Sequence, residues 1–178
     1  EPSANNIRVL SKNIYENNFH EQIKLIPMPL SNEDFKFSKM QDNIFEEGGA
    51  LNQYGVDYNF EGKKIYSKGG SIYQVPGFSL NYLLKNNLLE SPNYIKLDVD
   101  GIEPLILEGA TFLKDSSEIK EIFVEINDNF FAQKENVLNL MKSYNFILKK
   151  KFDNQSTHHL FNNTFNYLFV RKHNNEIN

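Results

Sequence analysis

The stretch YIKLDVDGIEPLILEGATFL, Tyr94 to Leu113, changes period halfway along. Up to Val99 it alternates: Ile95, Leu97 and Val99 fall on one face, Lys96, Asp98 and Asp100 on the other. That is a strand, read over 94–99. From Ile102 to Leu113 the apolar spacing is helical, with Pro104 in the first turn, where proline is tolerated. Asp98, Asp100 and Glu103 therefore crowd the junction. A buried Asp is costly unless paired, and Lys96 is placed to neutralise Asp98. Asp100 and Glu103 have the spacing of a capping box, with Asp100 as N-cap. Asp98, the last acid of the strand proper, reads as functional, and Gly101 allows a tight turn and close backbone approach.

Outward from this junction the chain alternates helices and strands. Residues 3–17 carry Ile7, Leu10 and Ile14 at helical spacing behind a Ser3 cap. Residues 22–31, QIKLIPMPLS, read as a short strand near an edge because of Pro27 and Pro29. Residues 32–76 are the least regular part, a surface excursion with a hairpin around Lys68-Gly69-Gly70. FSLNYLLKNN is a short helix capped by Ser79, EIKEIFVEIN (118–127) a strand, and 133–145 a helix with Val137, Leu138, Met141 and Tyr144 on one face. Asn145 suits the left-handed position after that helix. Residues 146–152 and 164–172 are two antiparallel closing strands joined by a polar loop.

This order predicts an α/β layer fold around a mostly parallel sheet, in one domain spanning residues 1–178. In such sheets ligands bind beyond the carboxyl ends of the strands. Glu125 and Asn127 end the next strand at the same edge, so the expected mouth is Asp98, Asp100, Glu125 and Asn127. Such a group can bind a polyhydroxylated ligand, hold a cation or supply a general base. Glu1-Pro2, just before a helix, is a weaker candidate for a ribose diol.

Composition narrows the classes. The 178 residues are 40% hydrophobic and 24% charged, with a net charge of -4, which gives no reason to expect nucleic acid. No apolar run approaches a membrane span, and there is no signal-peptide pattern, so residence is expected in the cytoplasm. Cys is absent, and the four His show no ligand spacing, so no metal site is expected. His158-His159 reads as a solvated pair.

The junction resembles the signature of the FkbM family of S-adenosylmethionine-dependent methyltransferases, roughly a strand, K-I-D-x-E-G-x-E, then a helix with L-x-G-A. Lys96, Asp98, Gly101, Glu103, Leu107, Gly109 and Ala110 match it. EPSANNIRVLSKNIYENN is similar to the family's E-P helix, and LIPMPLSNED to its next strand and turn. VPGFSLNYLLKNN, EIFVEIN and MKSYNFILKK resemble its later elements. The likeness covers nearly all of the chain outside 35–70. It implies a class I methyltransferase (Rossmann-like) fold, a sheet of seven strands with helices on both faces and an antiparallel closing strand. It implies S-adenosylmethionine as cofactor, with Glu1 at its ribose, Leu30 and Ser31 near its adenine, and Asp98 facing the methyl group and substrate. Asp98 and Asp100 are then the candidate bases, and Glu125 and Asn127 would orient the acceptor. That acceptor is expected to be a hydroxyl of a sugar or small natural product.

The chain departs from the family in three ways. Asp100 stands where Glu is usual, and Asn81 where Asp is frequent. The chain also opens at EP without Met and contains no G-x-G. The resemblance places the first strands and the glycine-rich cofactor loop before Glu1, so the chain reads as a C-terminal portion with exposed sheet edges, inactive alone if that loop is essential. Two rivals follow: a metal-assisted methyltransferase, and a non-catalytic carbohydrate- or partner-binding α/β domain without the cofactor loop.

Overall fold

The computed structural model describes residues 1–65, 70–153 and 159–172. These residues form a mixed α/β structure, and among them are four α-helices, α1 (Ala4–Glu16), α2 (Leu80–Lys85), α3 (Glu103–Glu108) and α4 (Phe131–Ser143). The larger sheet holds β4 (Tyr94–Leu97), β5 (Glu121–Asn127), β6 (Phe146–Asp153) and β7 (Thr164–Arg171) in the order β4-β5-β7-β6. The smaller sheet holds β1 (Lys36–Gln41), β2 (Gln53–Tyr54) and β3 (Ile72–Gly77) in the order β2-β1-β3.

β5 organises the core. Ile122, Val124 and Ile126 are fully buried, on the face covered by Ile106 and Leu107 of α3 and Val137 and Met141 of α4. Met40 of β1 and Tyr54 of β2 join the same buried cluster, so the small sheet packs on the large one. Ser3 and Ser79 cap α1 and α2 as their positions predict, each accepting from the third backbone N–H beyond it. Asn145 takes the left-handed conformation after α4, at φ 63°.

The sheet is less parallel than expected. β4 and β5 are parallel, but β7 runs antiparallel to both β5 and β6. The crossover through α4 sets β6 one place away from β5, and the returning chain fills that place as β7. β4 pairs only with β5 among the described strands, leaving its other edge open.

Two local expectations are corrected, and a third falls partly outside the described residues. Residues 22–31 form no regular strand; Leu30 makes one isolated parallel bridge, to Phe78. Pro27 and Pro29 remove two N–H donors from that short run. The strand 72–77 of the expected hairpin is present. It pairs along its full length with 36–41, from Lys36 opposite Gly77 to Gln41 opposite Ile72. The Lys68-Gly69 turn of the expected hairpin lies outside the described residues, as do His158 and His173. Finally, the helix after the junction stops at Glu108, and Thr111–Lys114 is a separate 3-10 turn.

Gly109 is the residue after α3 at this break. A Cβ there would lie 2.2 Å from the Ser31 carbonyl oxygen and 3.1 Å from Ser79 Cβ. The helix can approach the Ser31 backbone only without a side chain. Gly109→Ala is expected to cost about 1–3 kcal/mol through overpacking, read as a lowered midpoint in urea unfolding.

Candidate functional site

The strand ends at Leu97 and the chain turns through two left-handed residues, Asp100 at φ 60° and Gly101 at φ 115°. Glu103 holds this turn from below. Its carboxylate is 1% exposed and accepts from the N–H of Val99 (3.1 Å) and of Gly101 (3.1 Å) and from Gln133 Nε2 (2.5 Å).

Asp100 is not the N-cap of α3. That position falls to Ile102, which offers no side-chain cap. Neither half of the expected box forms: Glu103 reaches back to the N–H groups on either side of Asp100 and not to that of Asp100 itself, and the left-handed turn sends the Asp100 side chain elsewhere. Its Oδ2 accepts the N–H of Leu51 at 2.9 Å, and Leu51 itself has φ 63°. The acid thus ties the 43–53 loop to the strand end. Burial pushes its carboxyl up to about 6, against the pull of the Leu51 N–H, and Asp98 and Glu1 add to the rise.

Asp98 receives Lys96 Nζ on Oδ2 at 2.6 Å, the ion pair anticipated from their spacing. Glu125 is its neighbour on β5. Burial, then the charge of Asp98 and a hydrogen bond to it, push Glu125 up to about 8.

A cavity of about 460 Å³ opens at this edge. Glu1, Leu30, Asp98 and Asp100, from three separate parts of the sequence, all line it, over an apolar floor that includes Met28, Met40 and Ile106. Gly49, Ala50 and Asn52 of the 43–53 loop form part of its wall. Glu1 is fixed there by accepting the Ser3 N–H at 2.8 Å.

The other expected site residues lie elsewhere. Ser31 faces a smaller hollow of about 60 Å³ beside Leu30, its hydroxyl bonded to the Glu33 backbone. Asn127 is buried, and its amide is spent on Phe60 O (3.3 Å) and the Asn129 N–H (3.0 Å), holding the 57–62 loop against the sheet end. Glu125 is half-buried behind Asp98 and is not part of the cavity wall.

Asn6 was not anticipated. It lines the cavity, donates Nδ2 to Gly49 O at 2.9 Å, and has a buried Oδ1 with no hydrogen-bond partner among the described residues. In the sequence nothing separates it from Asn5, since either could face inward from the first turn of α1. Among the described residues no group of three or more His, Asp or Glu is arranged to hold a metal ion. No described helix is long and apolar enough to cross a membrane.

No curated protein and no solved structure matches the chain. The family model for the methyltransferase FkbM domain matches residues 1–148, through α1, the small sheet, the Asp98 turn and α4. The chain belongs to the FkbM methyltransferase domain family.

Proposed function

We propose that this protein transfers a methyl group from S-adenosylmethionine to a hydroxyl of a sugar or small natural product, as one class I methyltransferase-like domain over 1–178. The observation carrying this reading is the convergence of Glu1, Leu30 and Asp98 on one cavity. The resemblance assigns these same positions to ribose, adenine and methyl group. The cavity also suits a nucleoside chemically. It has an apolar floor for a flat base and acceptors on its walls for hydroxyl and amino donors, and the buried Asn6 Oδ1 needs such a donor.

Glu1 would take the ribose hydroxyls, Leu30 would pack on the base, and Asn6 Oδ1 would accept one ligand N–H or O–H. When bound, the cofactor supplies an electrophilic methyl group. Asp98, held by Lys96, receives the proton of the acceptor hydroxyl as its oxygen becomes nucleophilic. Asp100 keeps the loop closed over the cavity through Leu51, so positioning and exclusion of water come from the same tie. The acceptor is a small molecule or carbohydrate met in the cytoplasm, not a nucleic acid or a lipid surface.

Calorimetry with S-adenosylhomocysteine and the full chain tests this. Saturable binding is expected, weakened ~10-fold or more in Glu1→Gln, because a hydrogen bond to a charged group contributes about 1.5–3 kcal/mol. A folded protein that binds none would overturn the reading and leave a carbohydrate- or partner-binding domain.

A further inference from the structure

We propose that Glu125 acts through Asp98, as the proton-bearing member of a carboxyl pair that fixes Asp98 at the cavity wall. In chemical terms Glu125 donates its O–H to the Asp98 carboxylate while Lys96 holds the other side. Glu125 is then a positioning residue and not a substrate contact. For the reaction, the inference rests on the methyl-transfer reading; for the pair itself, it does not.

The sheet register carries it. β4 and β5 are parallel and paired through Leu97 opposite Val124. Both face the core, so the next residues, Asp98 and Glu125, share the opposite face on neighbouring strands, and their side chains are hydrogen-bonded to each other. Two carboxyl groups joined in this way do not both ionise readily. Lys96 Nζ, 2.6 Å from Asp98, favours the charged form there, and Asp98 lines the cavity while Glu125 stands behind it. The groups around Glu125 agree. β4 offers Lys96 and Asp98, the turn Asp100, and α3 Glu103, and all three acids favour a neutral Glu125. β7 places Asn166 directly opposite, and β6 carries Lys150 one strand further along that face. The Asn166 Oδ1 is buried without a donor among the described residues, a neighbour that suits a neutral carboxyl better than a second anion. Burial and Asp98 together hold the Glu125 proton to about pH 8.

Carboxyl-carbon NMR titration of the full chain reads the pair without any reaction. Glu125 is expected to titrate several pH units above an ordinary glutamate, and Asp98→Asn to bring its midpoint down. In turnover, Glu125→Gln keeps a donor without a charge. It is expected to keep more of the turnover at neutral pH than Glu125→Ala does, and to lack the fall in rate expected of the wild type above pH 8. Glu125→Ala frees Asp98, and a misplaced base lowers kcat on the order of 10²-fold with S-adenosylhomocysteine affinity unchanged. An ordinary titration of Glu125, or a Gln variant as impaired as the Ala variant, would overturn the proposal. A raised Glu125 midpoint in a protein that methylates no hydroxyl supports the pair and counts against the methyl-transfer reading.

Discussion

Asp98→Asn lowers methyl transfer by ~10²–10⁴-fold, the span that a positioned general base contributes. Folding and cofactor affinity stay near wild type, which separates this loss from collapse of the site. The asparagine Oδ1 can still accept from Lys96, and the ion pair it replaces is solvent-exposed on both sides, with the Asp98 and Lys96 side chains 38% and 62% accessible. Such a pair contributes at most about 1 kcal/mol. The substitution should instead appear in the pH dependence of stability. Glu125 has its pKa raised from 4.5 to about 8 in the folded chain, so its contribution is complete below about 4.5 and is lost as pH rises towards 8. Removing the Asp98 charge removes one cause of that rise. The thermal midpoint of the wild type is therefore expected to fall more steeply between pH 5 and 8 than that of Asp98→Asn. Turnover unchanged in the variant would end the assignment of Asp98 as base.

The strand–turn–helix junction was legible because each part obeys a local rule. Alternation gave β4, Gly101 the turn and Pro104 the start of α3. Ser3, Ser79 and Asn145 punctuated three helices for the same reason. The elements that were missed depend on partners remote in sequence. β1, KFSKMQ, alternates weakly and carries two lysines, and only its pairing with 72–77 makes it a strand. The run 22–31 looked like a strand from composition, but its prolines leave it too few donors to extend a ladder beyond Leu30.

The site divides along the same line. Residue type and strand-end position found Asp98 and Asp100, and the family resemblance pointed to Glu1 and Leu30; the fold brings all four to one cavity. The same logic placed Asn127 in the mouth, where its amide is instead consumed by the 57–62 loop. The direction of Asp100 was not readable either. A capping box assumes extended backbone at the cap, and the left-handed turn turns the carboxylate toward Leu51. Asn6 became visible only through an unpaired oxygen, which no periodicity reports.

Glu103→Ala is expected to be the most damaging substitution to the fold, destabilising it by roughly 3–5 kcal/mol. The carboxylate is 1% exposed and collects three donors: the Val99 and Gly101 N–H groups and Gln133 Nε2. Each buried donor left without an acceptor costs about 1–3 kcal/mol. Burial raises the carboxyl above its ordinary range while these donors draw it back down, so the group depends on all of them remaining in place. The conservative variant sharpens the test. Glu103→Gln keeps the size and one acceptor oxygen but turns an amide N–H₂ toward other donors, so it should recover part of the stability and not all of it. Urea midpoints of the two variants give the ranking directly. The functional consequence follows from position: Val99 and Gly101 flank Asp100, and Asp98 lies one residue before. Glu103→Gln should therefore weaken S-adenosylhomocysteine binding at temperatures where the variant remains folded. Binding unchanged in a measurably destabilised Glu103→Gln would mean that the turn keeps its shape without this carboxylate.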